Sequence, residues 1–168
     1  DYLSKDGENK TIKPKLFWLG SEFSSEAGTL QLKKIFEQKT FQTPKSVDFI
    51  EYCLHQATDK NSIVIDSFAG SGTTAHAVLN LNKKDNGNRK FICIEMEDYP
   101  NDVTAERVKR VINGYGSAGS PSAEGTGGSF DFYELGQQLF NEDGNLNEIV
   151  GIDKIRQYVY YAETKSAF

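Results

Sequence analysis

The sequence is poor in the residues that build metal centres and disulfide frameworks: it has two cysteines and two histidines, with one methionine, one tryptophan and four prolines. Cys53 and Cys93 sit inside apolar patterns, as reduced core thiols of a cytoplasmic protein do, although a disulfide between them stays open. His55 and His76 lie far apart and, with those cysteines, match no zinc spacing, so no metal site is expected. No run approaches the ~20 apolar residues of a membrane span, and the longest central uncharged stretch, between Asp66 and Lys83, is rich in Gly, Ser, Thr and Asn. A basic segment followed by an apolar one is missing at the start, which argues against a secretory signal. Positive charge is not in excess either. Lys and Arg number 19 against 24 Asp and Glu, net −5, so the summed field repels a phosphate backbone and any nucleic-acid contact must be local or come from elsewhere. The chain starts at Asp1 with a polar segment that enters no periodicity, and is expected to be cut from something longer.

What is present reads as an α/β chain of 168 residues, long enough for one domain or half of a larger one. Thr43 is a plausible N-cap with Pro44 at the first helical position. Val47, Ile50, Leu54 and Ala57, flanked by Phe49 and Cys53, then fall on one helix face. SIVIDSF, from Ser62, is too continuously apolar for a one-sided strand and predicts a parallel strand covered on both faces. A Gly-rich turn follows, then a helix with Ala75, Val78 and Leu79 inward and Lys83 and Lys84 at its negative end. The turn DNGN at 85–88 leads to a second strand, KFICIE. Residues 62–95 therefore make one right-handed βαβ unit. A helix from about Asn101 to Ile112 is expected to carry Glu106 and Arg110 as an outward pair. The stretch 114–129 holds six Gly and four Ser and reads as a loop without strand or helix. FDFYEL, 130–135, alternates like a strand, and Ile149, Ile152, Ile155 and Val159 space a terminal helix. Trp18 reads as core. The basic pairs Lys33–Lys34, Lys83–Lys84 and Arg89–Lys90 read as solvated.

The informative element is Asp66-Ser-Phe68-Ala-Gly70-Ser-Gly72-Thr73-Thr74, a strand ending in an acid and a glycine turn opening a helix. Gly70 and Gly72 let a ligand approach the backbone, and the helix start behind them offers unpaired N–H groups. A plain strand-to-helix turn is the bland alternative. No Lys follows Gly72, which excludes a Walker phosphate loop. Gly70, Gly72 and Ala75 fit the dinucleotide pattern, with Glu95 as a ribose acid, so a nicotinamide or flavin oxidoreductase is the serious rival. Asp66 speaks against it, because its carboxylate opposes a pyrophosphate on the helix N-terminus. S-adenosylmethionine, with an ammonium and a sulfonium but no phosphate, suits Asp66, and the two oxygens of Glu95 match a vicinal diol. His76 could also approach this pocket, and a non-catalytic subunit-contact module stays open as a third class.

DSFAGSGTTAHAVLNLN, preceded by a helix opened by Thr43-Pro44-Lys45 and followed by RKFICIEME, resembles the carboxy-terminal part of an amino-directed DNA methyltransferase of the permuted β class. It is most similar to the modification subunit of type III restriction-modification systems, over most of residues 40–135. The resemblance implies a Rossmann-like S-adenosylmethionine-dependent fold, present as the cofactor-binding half of its sheet. Carried over by position, it makes Thr43, Pro44, Lys45, Asp66, Phe68, Gly70, Gly72, Thr73, Thr74 and Glu95 the cofactor-binding residues. The organisation expected is 1–42 following a DNA-recognition region, 43–112 the cofactor unit, 113–129 the Gly/Ser loop and 130–168 a C-terminal strand and helical segment. Family members transfer methyl with an Asp/Asn/Ser-Pro-Pro-Tyr/Phe motif that holds a flipped base. Here Pro14, Pro44, Pro100 and Pro121 are never adjacent, so no catalytic residue is assigned and the isolated chain is expected to be inactive. The implied activity of the whole is methylation of an exocyclic amine of a DNA base, adenine before cytosine. The implied partners are DNA and a restriction subunit, and an exposed strand edge would favour self-association.

Overall fold

The computed structural model describes residues 20–116 and 123–168; Trp18, Pro14 and Pro121 lie outside these. The chain divides into two units, residues 1–130 and 131–168.

The first unit is organised by strand β1 (Ile63–Asp66), helix α3 (Thr73–Asp85) and strand β2 (Lys90–Cys93). The strands pair in parallel with Ile63 beside Lys90 and Asp66 beside Cys93. Backbone bonds from Lys90 N to Ser62 O (3.0 Å) and from Ile94 N to Asp66 O (2.8 Å) extend the ladder at both ends. This is the βαβ unit expected from the pattern, and α3 buries Ala75, Val78 and Leu79 as expected. The core joins Ile35, Ala75, Leu79, Val108 and Val111, with Phe91 and Cys93 packed against it from β2.

The expectation that both sheet faces are covered fails. Val64 and Phe91 are half-buried on the α3 side, whereas Ile65 is 66% exposed and Ile63, Ile92 and Ile94 are also open on the other. The residues are apolar on both faces because the pattern demands two covers, but among the described residues the helices supply only one.

The expected start of the helix before β1 also shifts. Helix α2 runs Val47–Ala57, and its N-cap is Ser46, whose Oγ accepts from Phe49 N. Thr43 is exposed and Pro44 is buried before the helix, not inside its first turn. Ser46 prevails because its hydroxyl serves twice, capping α2 and donating to Glu22 O. Helix α1 (Ser25–Phe36), which the pattern did not reveal, is capped by Ser24 and buries Leu32 and Ile35. Its Gly28 lies against the 44–45 backbone, where an added Cβ would stand 2.4 Å from Pro44 O. Gln31 of α1 accepts from Val47 N at 2.9 Å. These contacts pin the segment before α2.

Helices α2 and α3 are tied by Glu51, a buried carboxylate that accepts from Asn80 Nδ2 at 2.6 Å and pairs with Lys84. Lys83 pairs with Glu124, and buried Arg89 grips Asp85 with two bonds of 3.1 and 2.9 Å. Two of the three basic pairs thus hold structural contacts. After β2, residues Pro100–Ala105 form a π-helical turn, and only then does α4 (Glu106–Asn113) begin. The expected Glu106–Arg110 pair is present at 2.7 Å. The 114–129 stretch is not wholly loop: β3 (Gly114–Tyr115) and β4 (Ala123–Glu124) pair antiparallel. Gly125 permits this approach, since a Cβ there would stand 2.3 Å from Ile112 O.

Residues 130–135 form no strand, because among the described residues no edge pairs with them; in the second unit Tyr133 and Leu135 face solvent. Phe140 and Leu146 form an isolated antiparallel bridge. Helix α5 (Ile152–Thr164) fulfils the expected terminal helix, and its Tyr158 meets Phe140 edge to face with centroids 5.7 Å apart. No helix among the described residues is long and apolar enough to cross a membrane.

The capping assignment is directly testable. Ser46→Ala should lower stability by about 1–2 kcal/mol in urea unfolding, whereas Thr43→Ala should change it by less than about 0.5 kcal/mol. The reverse order would restore Thr43 as the cap.

Candidate functional site

The parallel ladder brings the ends of β1 and β2 to one edge, where the chain turns from β1 into α3. Ala69 N donates to Ile94 O at 3.0 Å, and Gly72 N donates to Ala69 O at 2.8 Å, closing the turn. Gly70 and Gly72 have φ of +53° and +77°, a region that costs other L-residues about 1–2 kcal/mol. At Gly72 a Cβ would also press Thr104 at 3.2 Å, while at Gly70 the nearest atom would be Phe41 Cζ at 3.5 Å. Gly70 is therefore required for its backbone shape, and Gly72 for shape and space together.

Two carboxylates flank the turn. Asp66 Oδ1 accepts from Phe68 N at 3.1 Å, and its Oδ2 accepts from Thr74 Oγ1 at 2.5 Å. Glu95 Oε2 accepts from Gly70 N at 2.8 Å, while its Oε1 accepts from Met96 N and Glu97 N at 2.9 and 3.2 Å. Partial desolvation pushes the Glu95 carboxyl up, but these amide donors and the Tyr99 hydroxyl outweigh it and hold the group below its ordinary value. Glu95 is thus an anion fixed to the turn itself.

Of the other expected residues, Thr73 is buried and its hydroxyl donates to Lys45 O at 3.4 Å, which links the 43–45 segment to the turn. Pro44 is buried, and the side chains of Thr43 and Lys45 are exposed. Phe68, 79% exposed, does not belong to the core. Phe41, which the pattern did not single out, meets Tyr99 edge to face with centroids 5.4 Å apart. Those rings, with Lys39, Thr40, Gln42, Thr43 and Glu97, line an open cleft of about 640 Å³. The chain therefore brings Asp66, Gly70, Gly72, Thr73, Thr74 and Glu95 together, with Thr43, Pro44 and Lys45 alongside. Among the described residues no group of three or more His, Cys, Asp or Glu could hold a metal ion, and both cysteines are free.

His76 lies behind the turn rather than in front of it. It is buried in α3, with its Nδ1 3.3 Å from Nη2 of Arg107. Burial, then the charges of Arg107 and Lys84, push its pKa down from 6.5 to about 3. The ring is neutral at pH 7, with Nδ1 as the acceptor and the proton on Nε2. Unfolded, the same histidine binds a proton below about pH 6.5. Between the two values the unfolded state holds the extra proton. Stability should therefore fall as pH drops through this window, at up to about 1.4 kcal/mol per unit from this group, and be independent of it above. Urea midpoints at pH 6.5 and 4.5 should converge in His76→Asn relative to the parent; an unchanged difference would remove His76 as the source.

The family described as DNA methylase (N6_N4_Mtase) matches residues 2–164. The Mod subunit of the type III restriction-modification enzyme EcoPI, from Escherichia phage P1, is 46% identical over 95 residues, 56% of this chain and 15% of that protein. The type II methyltransferase M.KpnI of Klebsiella pneumoniae is 41% identical over 87 residues, covering 52% of the chain and 21% of the relative. The EcoP15I Mod subunit of Escherichia coli is 36% identical over 103 residues, 55% of the chain and 16% of its own length. The chain thus spans only a small part of the relatives it matches, and it resembles type III modification subunits. A family match over nearly its whole length means that the chain belongs to the DNA methylases.

Proposed function

We propose that this chain is the cofactor-binding part of a site-specific DNA methyltransferase that uses S-adenosylmethionine and modifies an exocyclic amine, that of adenine, in DNA. One observation carries this above the others: an acid at the end of each parallel strand flanks a glycine turn that opens a helix, Asp66 bonded to Phe68 N and Thr74 on either side of it and Glu95 to the Gly70 amide within it. This donor set suits a cationic ligand bearing a diol. Asp66 would attract the positive methionine end, Glu95 would accept from ribose hydroxyls, and Gly70 and Gly72 leave room for the ligand beside the backbone. Thr73 and Thr74 brace the turn, with Thr74 orienting the Asp66 carboxylate. Thr43, Pro44, Lys45 and Phe68 complete the pocket in this reading. Bound there, the cofactor supplies an electrophilic methyl group. The residues of this chain bind and orient it and contribute no base.

The open apolar face of β1 and β2 supports a larger doubly wound, Rossmann-like sheet, of which this pair is a part, covered by other segments of a longer protein. Contact with DNA and with a restriction subunit, and base selection, would lie there too. The Pro-Pro motif is not in this sequence, so the chain alone should transfer no methyl group.

A thermal-shift titration tests the cofactor assignment. S-adenosylhomocysteine at ~100 times its dissociation constant should add about 2.7 kcal/mol of stability, and Asp66→Ala should abolish the shift. Stabilisation by NAD alone would replace this reading with an oxidoreductase, and no shift with either would favour a scaffold without a cofactor.

A further inference from the structure

Arg107 is the most unusual group in the first unit: 0% exposed, on α4, with no carboxylate paired to it among the described residues. A buried cation without a counter-charge is costly, and an apolar side chain would fill the same volume more cheaply. Its hydrogen bonds are concentrated on one object. Nη1 donates to Ser71 O at 3.1 Å, to Ser71 Oγ at 2.9 Å and to Thr73 Oγ1 at 2.9 Å. Nη2 meets the neutral His76 ring at 3.3 Å, and Nε is left without a partner among the described residues.

A trans peptide points its C=O and N–H in opposite directions. With Ser71 O held by Arg107, the N–H of the same peptide, that of Gly72, is aimed at Ala69 O, which it meets at 2.8 Å. Thr104, one turn before Arg107, donates to Gly70 O at 2.6 Å and fixes the preceding peptide in the same way. The glycine turn is therefore gripped from behind, while its other side carries the Gly70 N–H that Glu95 accepts. Glycines would otherwise leave this turn free to adopt several shapes.

We infer that Arg107 is a positioning residue: through the Ser71 carbonyl and the Ser71 and Thr73 hydroxyls it locks the glycine turn in the one shape that accepts the cofactor. This rests on the cofactor reading above. Burial lowers the guanidinium pKa only to about 10, so it stays charged at pH 7. His76 shares the load as a neutral acceptor and does not repel it.

The test compares Arg107→Met, Arg107→Lys and Ser71→Ala with the parent chain, by amide hydrogen exchange across residues 69–73 and by calorimetric titration with S-adenosylhomocysteine. In Arg107→Met, exchange in the turn should speed at least tenfold relative to the rest of α3, and affinity should fall at least tenfold. Arg107→Lys, which keeps a cation and three donors, should recover part of both. A folded Arg107→Met with exchange and affinity within twofold of the parent would overturn the inference. Should Arg107→Met fail to fold, Ser71→Ala decides: two- to fivefold changes in both readouts support the inference, and unchanged values overturn it. If the parent chain binds no S-adenosylhomocysteine, the cofactor reading falls, and the exchange data still judge the role of Arg107.

Discussion

The parallel pairing of Ile63–Asp66 with Lys90–Cys93 is the contact on which the other features depend. Parallel strands must be joined by a crossover, and the crossover here is a glycine turn followed by α3. Because both strands run the same way, their last residues finish at one edge, and Asp66 and Glu95 arrive there although 29 residues separate them in the chain. An antiparallel hairpin of the same two segments would place those carboxylates at opposite ends. The ladder continues into the turn through Ala69 N on Ile94 O, so the site is an extension of the sheet and not a loop laid upon it.

Around this turn, charge is distributed with a clear sense. Two anions stand beside it and one cation lies buried behind it, and each is bonded to polar groups in or next to the turn. The amides of Gly70, Met96 and Glu97 hold Glu95 ionised, and the carbonyl and hydroxyls of Ser71 and Thr73 solvate Arg107. Apolar packing of α3 and α4 shields that cation from water. A turn held in this way has its ordering costs met before any ligand arrives.

The βαβ unit and the grouping of Asp66, the glycine turn and Glu95 at one end of it were legible in the sequence because they depend on local signals: apolar strand runs, a glycine pair, acids at strand ends and helix stripes. The features that were not legible depend on distant partners. Thr43 and Ser46 are both capping residues by type, and Ser46, which also bonds to Glu22, takes the role. Arg107 reads as one more surface cation in the run ERVKR, and only the fold buries it. Helix α1 could have been found from the Ser24 cap and the Leu32–Ile35 spacing, but a polar neighbourhood hides both. Among the described residues FDFYEL, which alternates like a strand, finds no edge to pair with, and the sheet's second face, apolar in sequence, stands open.

In the function proposed above, the turn between β1 and α3, with Asp66 and Glu95 beside it, receives S-adenosylmethionine. Amide NMR of the labelled chain, titrated with S-adenosylhomocysteine, tests it most directly. The expected result is saturable shifts at Gly70, Gly72, Met96 and Glu97, whose N–H groups form or adjoin the turn. Saturable binding that leaves these four amides unmoved, or moves only residues remote from the turn, would contradict it.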